Sequence, residues 1–341
     1  MFNELVHDKS WRVRQKVAEI YGKLQEAFLK TFPGNKDVES ELINGASSLL
    51  KDIEGEVRAS GSKNLGIICS QWPKATKVSI IIETFLPIIT NLVDDPNPPV
   101  KEALGENLVD IAEIIGRESA IKEILPLLTG QLRDESSEVR FNVISQLKRI
   151  DDLVGIETLS KQVLPVILEL SEDQKWRIRL AILENIPTLA KQLGKGVFEA
   201  KLFEIVMTSV DDSIFNIREA ACICLADLAL LFGEQFTNES IIPKMSELSS
   251  SGNYLKRITC LIIGKELMKK NSCQLSAYIN IVKTLTNDKV PNVRFNVAKT
   301  LAVAKNTNEA TAVKACLTEL KKDEDRDVVF YAEDALAQLG F

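Results

Sequence analysis

One short motif recurs through the chain at nearly constant spacing. Its template is an aspartate, four further residues, a β-branched residue and a basic residue. Seven copies match it: Asp8–Arg14, Asp52–Arg58, Asp95–Lys101, Asp134–Arg140, Asp173–Arg179, Asp212–Arg218 and Asp288–Arg294. Two degenerate copies complete the series, Ser251–Arg257 and Asp323–Val329. Successive copies lie 44, 43, 39, 39, 39, 39, 37 and 35 residues apart. This is the period of a two-helix repeat, and it is too regular for a duplicated catalytic site.

Each period is predicted to contain two helices joined by a short loop. In the fourth, AIKEILPLLTGQL precedes the loop RDESS and the amphipathic segment EVRFNVISQLKRI. A proline fourteen residues before the basic position predicts a bent first helix in four periods, at Pro87, Pro126, Pro165 and Pro243. A glycine fifteen residues after it predicts a left-handed cap in four periods, at Gly116, Gly155, Gly194 and Gly233. The predicted unit is a bent first helix, a tight loop and a straight second helix closed by glycine.

The fold class expected from this pattern is all-α. One helical pair cannot bury its own apolar face, so neighbouring pairs must stack into a solenoid. We predict a single array over residues 1–341. Its nine repeats fall approximately at residues 1–30, 31–75, 76–117, 118–156, 157–195, 196–234, 235–272, 273–306 and 307–341. The composition agrees, because 6% aromatic residues and 11 prolines favour long helices over a turn-dense β-sandwich.

Few residues are available for chemistry. The single histidine, His7, lies near the N-terminus, which leaves little material for a catalytic triad or a His-ligated metal. No glycine-rich phosphate-binding loop is present. The six cysteines lack a CxxC pair and are predicted to be reduced core thiols: Cys69, Cys222, Cys224, Cys260, Cys273 and Cys316. We therefore predict that the chain is not an enzyme and needs no cofactor or metal.

The charge balance bears on partners and compartment. A net charge of −6 gives no electrostatic reason to expect binding to nucleic acid or to anionic membranes. The apolar runs are too short, or too interrupted by polar residues, to span a bilayer, and no signal peptide is recognisable. We expect the protein in the cytoplasm or the nucleus.

Several phrases of the chain are typical of one family. They are ILPLLTGQLRDESSEVRFNVISQL, VLPVILELSEDQKWRIRLAILENIPTLAKQLG, IREAA, IIPKMSELSSSGNYLKRIT and VPNVRFNVAKTLA. These phrases resemble the HEAT repeats of the scaffolding A subunit of protein phosphatase 2A. The resemblance extends over essentially the whole chain, is strongest from about residue 120 to 305, and corresponds to the last nine of that family's fifteen repeats. The abbreviated first helix, MFNELVH, suggests truncation.

Three consecutive repeats carry a large aromatic residue three positions before the basic residue, on the loop between the paired helices: Trp176, Phe215 and Tyr254. Loops of a solenoid line one edge, so these rings should form a row. They either pack against neighbouring loops or bind a partner, and we favour a binding ridge because exposed aromatics near arginine are common interface anchors.

The repeated aspartates and basic residues are expected to form a mainly architectural ladder of ion pairs and backbone hydrogen bonds.

The family resemblance implies a function for this edge. It implies a noncatalytic scaffold that holds the catalytic subunit of a Ser/Thr phosphatase, and that positions this enzyme for regulatory subunits and substrates. The implied contact segments, in repeats five to nine, are Asp173–Arg177, Asp212–Asn216, Ser251–Lys256, Asp288–Asn292 and Asp323–Asp327. The candidate partner-binding residues are Trp176, Arg177, Phe215, Asn216, Asn253, Tyr254, Pro291, Asn292 and Arg326.

Two further partner hypotheses stay open. The resemblance implies a regulatory B-type subunit, although only repeats one and two correspond to the end of that family's surface for it. The alternative function is a nuclear transport receptor or another protein–protein adaptor built from similar repeats. Such a receptor would normally need many more repeats and acidic cargo-facing loops.

Overall fold

The computed structural model describes residues 2–270, 275–304 and 309–341. Over these ranges the chain is almost entirely helical and contains no β-strand, which confirms the all-α prediction. The chain divides into two compact units, Met1–Ala181 and Ile182–Phe341. None of the described helices combines the length and apolar character needed to cross a membrane.

The first unit contains both long and short helices. Its described helices are α1 (Phe2–Val6), α2 (Trp11–Thr31), α3 (Lys36–Leu50), α4 (Gly55–Lys63), α5 (Leu65–Ser70), α6 (Lys77–Ile80), α7 (Leu86–Leu92), α8 (Pro98–Ile115), α9 (Arg117–Ser119), α10 (Leu125–Gln131), α11 (Ser137–Ser145), α12 (Leu147–Val154), α13 (Ile156–Gln162), α14 (Leu164–Leu170) and the beginning of α15 (Trp176–Leu193). Two π-helical segments, Ile81–Phe85 and Ala120–Ile124, precede α7 and α10.

The second unit repeats this plan. After the end of α15, its described helices are α16 (Lys195–Lys201), α17 (Phe203–Ser209), α18 (Phe215–Phe236), α19 (Ile242–Ser249), α20 (Tyr254–Lys269), α21 (Leu275–Thr286), α22 (Pro291–Leu301), α23 (Ala310–Leu320) and α24 (Arg326–Leu339). A π-helical segment, Thr237–Ile241, precedes α19.

Successive helical pairs stack within each unit. In the second unit, α18, α20, α22 and α24 pack one against the next, and α19, α21 and α23 form the other layer. In the first unit, α2, α4, α8 and α11 pack in the same order. The β-branched motif residue points into the core in most copies: Val57, Val100, Val139, Ile178, Ile217, Val293 and Val328 are fully buried. The nine repeat boundaries stay a prediction.

The four prolines interrupt the first helices, as predicted. Pro87, Pro126 and Pro243 are each the second residue of a helix that directly follows a π-helical segment. Pro165 is the second residue of α14, after a break at Val163. Proline lacks an N–H group and its ring clashes with the carbonyl four residues earlier, so the helix widens or breaks just before it.

The prediction of straight second helices is wrong in two places. The second helix of the second period is divided into α4 and α5 at Asn64, and that of the fourth into α11 and α12 at Gln146. At each break the side-chain amide donates a hydrogen bond to the preceding second helix. Asn64 Nδ2 lies 3.1 Å from the carbonyl oxygen of Ala18, and Gln146 Nε2 lies 3.1 Å from that of Gly105. The local break in one helix therefore accompanies a link to its neighbour.

Gly116, Gly155 and Gly194 end their second helices, and Gly233 kinks α18 with a non-helical φ of 83° and ψ of −172°, but the predicted left-handed helical cap is wrong. Gly116 has φ 82° and ψ 165°, and Gly155 has φ 81° and ψ 155°. The φ values are positive, whereas ψ is extended, a combination that is essentially restricted to glycine. This conformation turns the chain sharply, so that the next helix begins at the following residue, Arg117 or Ile156.

The core cysteines follow the prediction where they are described. Cys69, Cys222, Cys224, Cys260 and Cys316 are buried and unbridged. Burial raises the pKa of the Cys69 and Cys260 thiols to about 12, which keeps both protonated. Cys273 lies outside the described residues.

We expect Gly116→Ala to lower the free energy of unfolding by about 1–3 kcal/mol, because alanine is strained at this φ and ψ. The control is Gly130→Ala, within α10. An added Cβ at either position meets no atom within 4 Å, so the two sites differ in backbone conformation and not in space. The control should be neutral or stabilising by up to about 1 kcal/mol. Urea denaturation measures both, and equal effects would contradict the assigned role of positive φ.

Candidate partner-binding edge

The motif's basic and acidic residues connect successive interhelical turns. Within the two units the described ion pairs are Arg14–Asp52, Arg58–Asp95, Lys101–Asp134, Arg140–Asp173, Arg257–Asp288 and Arg294–Asp323. Arg294 shows the full arrangement. Its Nε and Nη2 donate to the two carboxylate oxygens of Asp323 at 2.6 and 2.8 Å, and its Nη1 donates to the carbonyl oxygen of Asp288 at 2.8 Å. One guanidinium therefore holds its own turn and the next, which confirms the predicted ladder.

The aspartate of each copy also shapes its own turn. In eight copies Oδ1 accepts a hydrogen bond from the backbone N–H two residues later, at Ser10, Glu54, Asn97, Ser136, Lys175, Ile214, Val290 and Asp325. Only a short side chain closes this Asx turn. The turn fixes the start of the second helix three residues after the aspartate.

The pairs are well shielded from solvent. The side chains of Arg294 and Asp323 are 10% and 9% exposed. The hydrogen bond from Arg294 holds the pKa of Asp323 below its usual value, and the same bond raises the pKa of Arg294. Both groups stay charged at ordinary pH, and the two parallel bonds orient the carboxylate as well as binding it.

The residue three positions before the basic residue is the first residue of the second helix. The prediction that it lies on the loop is wrong. This position is occupied by Trp11, Gly55, Pro98, Ser137, Trp176, Phe215, Tyr254, Pro291 and Arg326. The Asx turn begins the helix here, and proline suits this position because its missing N–H is not needed in the first turn.

In the second unit, the starts of α18, α20, α22 and α24 lie along one edge. Arg257–Asp288 and Arg294–Asp323 join the beginning of each of α20 and α22 to the turn before the next second helix. Lys256 Nζ lies 3.1 Å from Asp211 Oδ2 and joins the start of α20 to the turn before α18. We call this row of first residues the second-unit edge: Phe215, Tyr254, Pro291 and Arg326.

The candidate residues of the second unit are accessible on this edge. Phe215 is 48% exposed and Tyr254 is 40% exposed. The remaining candidates are also exposed: Asn216, Asn253, Pro291, Asn292 and Arg326. Asn253 has a structural role as well, since its Oδ1 accepts the N–H of Leu255 and caps α20. Two rings and four polar or charged side chains therefore face solvent on or beside the edge.

The other two candidates, Trp176 and Arg177, lie in the first unit at the start of α15. Trp176 is partly buried, and the Arg177 guanidinium carbon lies 5.7 Å from the centre of its ring. Both line a groove of about 460 Å³, the first-unit groove, together with Ser137, Glu138, Phe141, Lys175 and Ile178. The groove combines an apolar floor with charges of both signs, which suits an apolar side chain of a partner.

Phe141 was missed by the sequence analysis. It lines the first-unit groove together with Trp176 and is 40% exposed. Its position directly after the motif's basic residue gave no signal, because the same position carries apolar residues in other copies, such as Leu180, Phe295 and Phe330. The exposure of Phe141 in the groove is the observation that identifies it.

Comparison with known proteins supports the repeat assignment over part of the chain. Residues 163–193 match the HEAT repeat family. The beta isoform of the human 65 kDa regulatory A subunit of Ser/Thr protein phosphatase 2A is 38% identical over 104 residues, 30% of this chain and 16% of that protein. The 65 kDa regulatory subunit of the Drosophila melanogaster enzyme is 40% identical over 56 residues, 16% of this chain and 10% of that protein. The matched stretches thus span a small part of these relatives.

The fold is similar to that of two solved structures. The karyopherin Kap121p, bound to the extreme C-terminus of the protein phosphatase Cdc14p, superimposes with a TM-score of 0.69 at 13% identity. The match covers 99% of this chain and 37% of that one. Importin beta superimposes with a TM-score of 0.66 at 13% identity, and the match covers 99% of this chain and 46% of the importin beta chain. The fold is an all-α solenoid. At this level of identity the similarity shows the fold alone.

We expect Asp323→Asn to lower the free energy of unfolding at pH 7 by about 1–3 kcal/mol, because Arg294 loses its charged partner. The folded pKa of Asp323 lies below the unfolded value of about 3.9. Its contribution is therefore present above about pH 4 and is lost as the pH falls through the folded pKa. The difference between variant and wild type should shrink below pH 4.

The matched control for this experiment is Glu324→Gln, in the same turn. Glu324 is 91% exposed and lies 3.9 Å from Arg294, so its removal should change stability by less than about 0.5 kcal/mol. Denaturation curves at several pH values between 7 and 3 give both differences. Equal losses in the two variants would show that the ladder pair has no special contribution.

Proposed function

We propose that this chain is a noncatalytic scaffold that binds the catalytic subunit of a protein phosphatase 2A-type enzyme. The observation that carries the proposal is the second-unit edge, where Phe215 and Tyr254 are exposed at equivalent helix starts, with the turns before them joined by Lys256 and Asp211. Large rings with nearby arginine, presented on a rigid support, are typical interface anchors. The segmental identity of 36–40% to the regulatory A subunits of phosphatase 2A supports this choice of partner.

The proposed contacts divide into anchors and polar neighbours. Trp176, Phe215 and Tyr254 provide apolar area, and Arg177 lies against the Trp176 ring, where it can contact a carboxylate or an aromatic ring of the partner. Polar groups on the same helix starts supply hydrogen bonds at the rim of the interface: Asn216, Asn253, Asn292 and Arg326, with Pro291 as a rigid apolar contact. In this proposal the segments belong to repeats five to nine of a nine-repeat array over residues 1–341.

The mechanism we propose is positioning. Each repeat contacts mainly its neighbours in a stacked array, so small changes in angle at several interfaces add up along the chain. The ladder keeps adjacent turns in register, while such bending adjusts where the bound enzyme meets regulatory subunits and substrates. A regulatory B-type subunit is a second proposed partner, through repeats one and two. The proposed location is the cytoplasm, with access to the nucleus.

The alternative is a nuclear transport receptor or another adaptor. Its support is the similarity to Kap121p and importin beta, which is a similarity of fold at 13% identity. Binding assays with a small GTPase of the transport system, run beside assays with the phosphatase catalytic subunit, separate the two functions. Binding of the GTPase without the phosphatase would favour the alternative.

We expect Trp176→Ala to weaken binding of the phosphatase catalytic subunit by about 2 kcal/mol or more, roughly 30-fold, as truncation of an interface anchor does. Calorimetry with the purified catalytic subunit measures the change, and circular dichroism checks the fold. Unchanged affinity with an intact fold would remove Trp176 from the interface.

The chain contains a matched control for this variant. Trp11 is also the first residue of a second helix, and Arg12 lies 4.8 Å from the centre of its ring. It belongs to the first repeat, outside the proposed contact segments. Trp11→Ala should therefore leave the affinity within about twofold of wild type, and an equal loss in both variants would indicate a general effect of removing tryptophan.

A further inference from the structure

In the described part of the second unit, the ladder lacks its ion pair at Arg218. The residue 33 positions after Arg218 is Ser251, whereas the same separation joins Lys101 to Asp134 and Arg140 to Asp173. Within the described part of the chain, no carboxylate lies within ion-pair distance of Arg218. The gap thus arises from a single departure from the motif, serine in place of aspartate.

Arg218 is nevertheless held in the orientation of its counterparts. Its Nη1 donates to the carbonyl oxygens of Asp212 and Ser213 at 2.8 and 3.1 Å. Arg257 is anchored in the same way, and its Nε and Nη2 bind both carboxylate oxygens of Asp288 at 2.5 and 2.9 Å. The Nε and Nη2 of Arg218 have no hydrogen-bond acceptor among the described residues. Arg218 therefore presents an ordered two-donor fork at the place where its counterparts bind a carboxylate.

Ser251 replaces only part of what aspartate does. Its Oγ accepts the N–H of Asn253 at 3.2 Å, so the turn before α20 is retained. A hydroxyl has no second oxygen and no charge to offer a guanidinium. The link between the two turns is supplied instead by Lys256, whose Nζ lies 3.1 Å from Asp211 Oδ2. Because this second ion pair joins the turns, stacking of α18 and α20 does not require a partner for Arg218.

The gap lies on the second-unit edge. The Arg218 guanidinium carbon is 5.7 Å from the centre of the Phe215 ring, which is 48% exposed. Tyr254, 40% exposed, begins the next second helix beside Ser251. An arginine fork beside an exposed ring is suited to a carboxylate, because two parallel N–H···O bonds match its geometry and the ring excludes water on one side.

We propose that Arg218 binds an aspartate or glutamate side chain of the bound phosphatase catalytic subunit, which takes the place of the absent ladder carboxylate. The inference rests on the proposed function and specifies the chemistry of one contact. In this contact the partner's carboxylate accepts hydrogen bonds from Nε and Nη2 of Arg218. Asp288 accepts the same two hydrogen bonds from Arg257 in the next turn.

The test fills the gap from within the chain. In Ser251→Asp the new carboxylate pairs with Arg218 and competes with that of the partner. The matched control, Ser251→Asn, is close in size, keeps an oxygen for the turn and adds no charge. We expect the aspartate variant to raise the Tm by roughly 1–3 °C and to weaken catalytic-subunit binding at least about tenfold. The asparagine variant, which adds no charge, should bind at least about fivefold more tightly than the aspartate variant.

Each outcome decides the matter. A higher Tm with unchanged affinity would show that the fork can be filled and that the partner does not use it. A Tm no higher than that of Ser251→Asn would show that the Arg218 fork does not face residue 251. An equal loss of affinity in Ser251→Asp and Ser251→Asn would indicate that the turn is disturbed and that a competing charge is not the cause. Any of these three results overturns the proposal.

A second variant guards against an indirect effect. Arg218→Lys keeps the charge and loses the fork, so we expect weaker binding than wild type and no further loss when Ser251→Asp is added. Additive losses would contradict a shared site. If the wild-type chain does not bind the catalytic subunit, the proposed function is wrong. If the wild-type chain binds it but changes at residues 218 and 251 have no effect on affinity, only the role proposed for Arg218 is wrong.

Discussion

The arrangement of the chain depends on one repeated interaction, a guanidinium that joins two consecutive turns. Through Nη1 it closes its own turn, and through Nε and Nη2 it binds the carboxylate of the next, as at Arg257 and Arg294. Apolar packing between helices is tolerant of small shifts, whereas a bidentate ion pair has a narrow geometry. Where the pair is present, the ladder therefore sets the register of neighbouring second helices, and with it the position of the residues at their starts.

The motif separates structural from variable positions within a few residues. Aspartate, the β-branched residue and the basic residue are committed to the turn, the core and the ladder. The first residue of the second helix makes none of these contacts, and it can be glycine, proline, serine or an aromatic at an almost identical place. A binding surface can therefore be built by changing these residues alone. Trp176, Phe215 and Tyr254 are such changes in a support that stays the same.

The sequence predicted features whose cause is periodic or local. The all-α class, the proline interruptions and the ladder followed from spacing, because the same residues recur in each period. The breaks at Asn64 and Gln146 did not, and they accompany hydrogen bonds to carbonyl groups 46 and 41 residues away, which spacing alone does not reveal. The extended ψ at Gly116 depends on the helix that follows, and Phe141 became visible only as part of the first-unit groove. Which residues meet a partner stays a prediction, because neither spacing nor exposure identifies it.

The degenerate copy at Ser251 shows how a repeat array can leave one basic residue, Arg218, without the ion pair that its counterparts make. Loss of the ladder aspartate would by itself weaken the contact between two turns, yet the same copy carries Lys256 where the others have a β-branched residue, and Lys256 reaches Asp211. At this interface, the ion pair between Lys256 and Asp211 therefore takes the place of a pair between Arg218 and residue 251. Two departures from one motif thus compensate each other in the fold, and together they leave Arg218 ordered, charged and without a carboxylate among the described residues. Where a structural motif fails while its support is kept, the freed group is the first place to look for recognition.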